Sequence, residues 1–188
     1  MRIGVLALQG AFIEHERRLA ELGADTFEIR EKKDVEQPFD GLVLPGGEST
    51  VQGKLLRELG LFEPLRAKIA AGLPTFGTCA GLILLANRIE NDPTVHFGLL
   101  DVTVARNAYG RQLGSFHAEA PLAEGVPIPL TFIRAPAIRS IGPNVETLVS
   151  LERTPVAVRQ KNIVAMAFHP ELDADPSIHR FFLNQMFA

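Results

Sequence analysis

The chain of 188 residues is 46% hydrophobic and sets 19 Lys and Arg against 22 Asp and Glu, a formal net charge of −3. Such length and apolar content suit one domain, 1–188, around one core, and the slight acidity offers no basic surface to a nucleic acid. A lone cysteine excludes an intrachain disulfide and no apolar run is long enough to cross a bilayer, so a cytoplasmic protein with neither nucleic-acid nor membrane partners is expected.

In chain order, apolar runs at 2–8, 26–29, 41–44 and 74–76 predict short buried strands. Between them, amphipathic stretches at 11–22, 50–59 and 62–71 predict helices, and alternation of this kind implies parallel βαβ units. The third strand runs into Pro45-Gly46-Gly47-Glu48-Ser49-Thr50, a turn whose glycines admit close approach of a ligand and whose polar residues cap the next helix.

The fourth strand ends in Gly77-Thr78-Cys79-Ala80-Gly81, followed by the apolar run of a helix. Small residues two positions either side of a thiol are what a sharp strand-to-helix turn requires, since larger ones would strike the neighbouring strand or helix. The start of that helix favours negative charge on the sulfur. A free cysteine is more often an inert small hydrophobe, but the setting of Cys79 reads as that of a nucleophile.

After Asp101 the pattern changes to short strands, predicted at 102–105, 114–118, 130–133, 137–141, 147–151, 156–159 and 163–168, with more antiparallel pairing. The last delivers His169-Pro170-Glu171. Extended residues two apart point the same way, so His169 and Glu171 are expected to pair at a strand end, with the imidazole facing the thiol and Pro170 stopping the strand. Gly46-Gly47, Cys79 and His169 all follow predicted strands, where ligand sites of open parallel sheets lie. In this reading the backbone N–H groups of Ala80 and Gly47 form an oxyanion hole. The remaining histidines carry no expected role: His15 on a charged helix face, His96 in a loop and His179 in the last helix read as solvated or locally bonded, and His117 is unassigned.

The cysteine turn with the downstream His-Pro-Glu resembles the class I (triad) glutamine amidotransferases. Further stretches, Gly4 to Ala11, Leu44 to Thr50, Arg106 to Gln112 and Phe132 to Pro136, are similar to the glutaminase subunit of pyridoxal 5′-phosphate synthase, over essentially the whole chain. Tyr109 stands where that family commonly has phenylalanine, and residues 87–96 follow its wording poorly.

The resemblance implies one three-layer α/β domain with a mixed, largely parallel sheet flanked by helices, flavodoxin-like in outline. It implies that Cys79, His169 and Glu171 release ammonia from L-glutamine, and that Gly47, Glu48, Ser49, Arg106, Ile133 and Arg134 hold this substrate. It further implies a (β/α)8-barrel synthase subunit as partner, no cofactor or metal in this chain, and a glutaminase awakened by docking, through reorientation of the Gly46-Gly47 peptide. The alternatives are a glutaminase serving another synthase, such as that of imidazole glycerol phosphate synthesis, and a non-catalytic assembly subunit.

Overall fold

The computed structural model describes residues 1–108, 114–122, 125 and 127–185. Its centre is a seven-stranded sheet whose strands lie in the order Glu146–Leu151, Thr154–Gln160, Ile163–Met166, Thr75–Thr78, Gly41–Leu44, Arg2–Leu6 and Asp25–Ile29. Five of these strands run parallel: β1 (Arg2–Leu6), β2 (Asp25–Ile29), β3 (Gly41–Leu44), β4 (Thr75–Thr78) and β12 (Ile163–Met166). The antiparallel pair β10 (Glu146–Leu151) and β11 (Thr154–Gln160) extends the β12 edge. Every residue of β3, β4 and β12 is buried, as expected of parallel strands covered on both faces.

Helices close both faces. On one, α1 (Phe12–Glu21) and α6 (Ser177–Gln185) meet over Phe76 of β4, whose ring stacks on Phe182 at 5.1 Å. The inward face of α1 carries His15 and Leu19, one turn apart. On the other, Gly77 lies against α5 (Ala80–Leu85), which packs on α3 (Ser49–Glu58), and α3 in turn on α4 (Phe62–Ala70). A short α2 (Lys32–Glu36), too brief for a periodic signal in the sequence, fills the β2–β3 connection.

Two smaller sheets flank this centre. β5 (Ala86–Ile89), β6 (Leu100–Ala105) and β9 (Ala137–Ile141) form one, and β7 (Ser115–Pro121) pairs with β8 (Pro127–Ile133) in the other. β5 is unanticipated: it is four residues long with exposed Asn87 and Arg88 at its centre, directly after the apolar run of α5, and its pairing with β6 makes it a strand. The expected antiparallel character of the second half holds for β6–β9, β7–β8 and β10–β11–β12, while β5–β6 is parallel.

Strand register positions the site. Leu44 pairs with Gly77, and Thr78 with Met166, so the carboxyl ends of β3, β4 and β12 are level. The chain leaves each at the same edge of the sheet, and the residues that follow converge there.

Candidate active site

Cys79 occupies the tip of the β4–α5 turn with φ 48° and ψ −98°, a left-handed conformation that costs a non-glycine residue about 1–3 kcal/mol and is held only by its surroundings. Those surroundings are tight. A Cβ on Gly81 would stand 2.0 Å from the Leu44 carbonyl oxygen, and one on Gly77 would meet Leu85 at 2.7 Å. The cysteine N–H donates to the Met166 carbonyl at 2.8 Å, which fastens the turn to the end of β12. Ala80 is the first residue of α5, so its N–H has no acceptor within the helix.

His169 and Glu171 are paired, Nδ1 to Oε1 at 2.7 Å, and the same imidazole and Cys79 both lie against Gly46. The route differs from the sequence expectation. β12 ends at Met166, and Pro170–Leu172 form a 3₁₀ turn rather than a strand end. Proline's fixed φ starts that turn, which folds the carboxylate back beneath the ring. The His169 N–H donates to Thr131 of β8 at 2.8 Å, anchoring the turn from a second direction. Burial by itself disfavours imidazolium, but the hydrogen bonds and negative charge of Cys79 and Glu171 outweigh it and raise His169 to about 10.

Three histidines expected to be solvated or locally bonded are buried instead. His15 is fully enclosed, with Nδ1 3.0 Å from Nε2 of His179 and Nε2 3.0 Å from Thr78 Oγ1. Its charged sequence neighbours belong to the outer face of α1, and position 15 turns inward with Leu19. Burial, then the neighbouring His179 and His169, pushes His15 well below the usual imidazole range; burial and Arg18 lower His179 to about 4. His96 lies over Gly53, where a Cβ would come 2.2 Å from its ring, and burial with Arg57 and Arg106 lowers it to about 4. His117 donates through Nδ1 to Thr131 Oγ1 at 2.9 Å, and that hydroxyl donates to Asp173 at 2.9 Å.

The glycine turn after β3 faces the same cleft. A Cβ on Gly46 would stand 2.3 Å from Cε1 of His169. The Gly46 carbonyl accepts from the Ala11 N–H at 3.1 Å, so the N–H of the same trans peptide, on Gly47, points away from that segment. The turn is braced by two glutamines. Gln9 Oε1 accepts from the Glu48 N–H at 2.7 Å, and Gln52 Nε2 donates to the carbonyls of Gln9 and Pro45 at 2.8 and 3.2 Å. Glu48 caps α3 by accepting from the Thr50 N–H at 3.0 Å, as its place before a helix foretells.

Arg106 donates to Thr50 Oγ1 at 3.0 Å and lies 3.6 Å from Asp92. Arg134 is exposed at the end of β8 with φ 44°, its N–H donating to the Gly114 carbonyl at 2.6 Å. Together Gly47, Glu48, Ser49, Arg106, Ile133 and Arg134 border a cleft of about 370 Å³ with Cys79 and His169 on its floor, within the size range of small-molecule sites. Ala80 and Glu171 lie behind that surface. Gln9, Ile83, Asn107, Pro136 and Leu172 also line it and were not singled out from the sequence. A polar residue directly after a parallel strand was the available signal for Gln9. The stretch from Tyr109 to Gln112 lies outside the described residues. Among those described, no three His, Cys, Asp or Glu side chains are grouped to hold a metal, and no helix is long and apolar enough to cross a membrane.

Solved structures share this mixed α/β fold. A glutamine amidotransferase crystal structure matches with a TM-score of 0.94 at 44% identity, covering 99% of both chains. A glutamine amidotransferase from Thermotoga maritima, at 14% identity and a TM-score of 0.66, has the same fold over all of this chain and 96% of its own.

The chain belongs to the SNO glutamine amidotransferase family, whose model matches residues 5–188. Among its relatives, a protein of Desulfitobacterium hafniense is 56% identical over 99% of this chain and 94% of its own length. One from Methanocorpusculum labreanum is 56% identical over 99% and 98%, and one from Haemophilus influenzae 51% identical over 98% and 97%. All three bear the name pyridoxal 5′-phosphate synthase subunit PdxT.

Proposed function

We propose that this chain is the glutaminase subunit of a pyridoxal 5′-phosphate synthase, a single glutamine amidotransferase domain over 1–188. It hydrolyses L-glutamine to L-glutamate and passes the ammonia to a synthase subunit. The observation that carries the reading is the Cys79–His169–Glu171 arrangement at the floor of a cleft in a chain at least half identical to proteins of that name.

In this reading the Cys79 sulfur attacks the side-chain amide carbon of glutamine, and the N–H groups of Ala80 and Gly47 receive the oxyanion. Removing one such donor typically costs about 3 kcal/mol of transition-state stabilisation. His169, protonated, gives its proton to the departing nitrogen, and ammonia leaves a glutamyl thioester. Water then attacks with His169 as base and releases glutamate. Glu171 holds the ring and balances its charge. Arg106 and Arg134 supply cationic forks for the substrate carboxylate, and Glu48 an anion for its ammonium.

Ammonia that reaches bulk water becomes ammonium and stops being a nucleophile. The product therefore calls for a docked acceptor, here a (β/α)8-barrel synthase subunit, with no cofactor in this chain. A cytoplasmic location suits a thiol that must stay reduced. The test is glutamate release by the purified chain, alone and with a pyridoxal 5′-phosphate synthase subunit, with Cys79→Ala as control. Stimulation by the partner that disappears in C79A is expected. Activity that survives C79A, or no activity with the partner present, overturns the proposal.

A further inference from the structure

The Glu171 side chain is wholly enclosed, yet only one of its oxygens is engaged by His169. Oε1 meets His169 Nδ1 at 2.7 Å, whereas Oε2 has no hydrogen-bond partner among the described residues. A buried carboxylate oxygen without a donor is costly. His15 Nε2, itself fully buried, stands 3.4 Å from it.

The protonation pattern of the buried histidine string decides what His15 presents. Its Nδ1 and the Nε2 of His179 are 3.0 Å apart, so one carries the shared hydrogen and the other accepts it. If His15 donated through Nδ1, its Nε2 lone pair would face the Glu171 carboxylate, and His179 would be left with a buried N–H on Nδ1, an atom with no partner among the described residues. If His179 donates instead, His15 carries its hydrogen on Nε2 and donates it to Thr78 Oγ1 at 3.0 Å, with Glu171 Oε2 3.4 Å from the same nitrogen. The atom left over is then an acceptor on His179, the milder omission. The groups around this string are Thr78 on β4, Glu171 and His169 around the 3₁₀ turn, His179 on α6 and Arg18 near His179. Burial and the neighbouring imidazoles keep His15 uncharged, so it does not draw the carboxylate out of its pairing with His169 as a cation would.

We infer that His15 is a positioning residue of the glutaminase site: a neutral ring whose Nε2–H, donated to Thr78 Oγ1, turns the positive end of its dipole toward the second oxygen of Glu171 3.4 Å away, with its tautomer fixed by His179. The inference rests on the triad reading proposed above. His15 touches neither substrate nor sulfur. It restrains the Glu171 carboxylate, and through it the His169 ring, from the buried side of the pair. The reaction uses His169 twice, first to protonate the departing nitrogen and then to activate water, so ring orientation bears on both steps.

The experiment measures glutamine hydrolysis by the chain assembled with its synthase subunit, for His15→Phe, His15→Gln and C79A. Phenylalanine fills the space without a donor, and the glutamine amide nitrogen reaches close to the position of Nε2. The expected result is a fall in kcat of about 10- to 100-fold for H15F with KM within about twofold, and recovery to within about fivefold of the parent in H15Q. An unchanged kcat in H15F, or equal impairment in both variants, overturns the inference. Activity persisting in C79A instead overturns the triad reading itself. A second measurement needs no active variant: the imidazole nitrogen shifts of His15 in the full chain at neutral pH, assigned by their loss in H15Q. A neutral Nε2–H ring is expected, and a neutral Nδ1–H ring or an imidazolium refutes the assignment.

Discussion

Gly46→Ala separates catalytic geometry from folding. The added methyl would stand 2.3 Å from Cε1 and 2.7 Å from Nδ1 of His169, while lying 3.4 Å from Cys79 Cβ, an ordinary contact. Restoring 3.4 Å at Cε1 moves the imidazole by about 1.1 Å, enough to break a 2.7 Å bond to Glu171 or to withdraw the ring from the sulfur. Misplacement of about 1 Å costs roughly 10²-fold in rate, so kcat for glutamate release by the assembled complex is expected to fall about 100-fold or more. Gly46 is not among the glycines with positive φ, and the obstacle is a side chain at the edge of the cleft. The melting temperature is therefore expected to fall by no more than about 4 °C, near 1 kcal/mol for a chain of this size. Gly81→Ala is the contrasting case, because its methyl meets the Leu44 backbone at 2.0 Å and β3 itself must yield; loss of folded protein is expected. Wild-type kcat in Gly46→Ala would refute the placement of His169 over the glycine turn.

Cys79→Gly is expected to abolish glutamate release while keeping or raising the melting temperature, because glycine adopts φ 48° without the penalty that cysteine bears; a fall of more than about 5 °C would deny the strain. Arg106→Lys loses the planar fork beside Thr50 and Asp92, so KM for glutamine should rise about tenfold or more with kcat little changed, read from initial-rate kinetics. His179 has a folded pKa of about 4, below the 6.5 of an unconstrained imidazole. The unfolded chain thus binds the extra proton first, and the stability gained by burying a neutral ring is present above 6.5 and lost as the pH falls toward 4, on the order of 3 kcal/mol. Urea melts between pH 7 and 4 should show this decline, and His179→Phe should flatten it. His169, raised to about 10, works in the opposite sense: its contribution is whole below 6.5 and lost as the pH climbs to about 10, a loss that His169→Phe should remove.

What the sequence revealed depended on whether the signal was local. Four fully buried residues at 41–44 and two glycines flanking Cys79 announce themselves, because a parallel strand covered on both faces needs continuous apolar residues and the turn admits only small neighbours. The pairing of His169 with Glu171 was foreseen with the wrong backbone, since a proline between two residues allows either a strand stop or a 3₁₀ turn and only the packing beneath chooses. His15 was unreadable for a different reason. Its neighbours Glu14, Glu16, Arg17 and Arg18 give the segment a charged character, and the inward direction of one position shows only when α1 is laid beside α6, 164 residues away. The brace that Gln9 and Gln52 give the glycine turn is likewise a product of strand order, bringing the end of β1 beside the end of β3.

The two sides of the site are built to different standards. Toward the core, Glu171, His15, His179 and Thr78 are fully or almost fully excluded from water around Phe76, so their geometry is set by packing and a shift in one must be absorbed by the others. Toward solvent, Gly47, Glu48 and Arg134 are exposed, and the glycine turn depends on hydrogen bonds from glutamine side chains. Side-chain hydrogen bonds of this kind contribute about 1 kcal/mol each, a magnitude that contacts with a docking partner readily match. In the proposed reading a partner therefore acts on the exposed Gly47–Glu48 side of the turn, because Gly46 lies directly against the His169 ring and cannot move without it. Gln52→Ala tests this division: it should change the extent of stimulation by the synthase subunit while leaving the pH dependence of the stimulated rate unchanged.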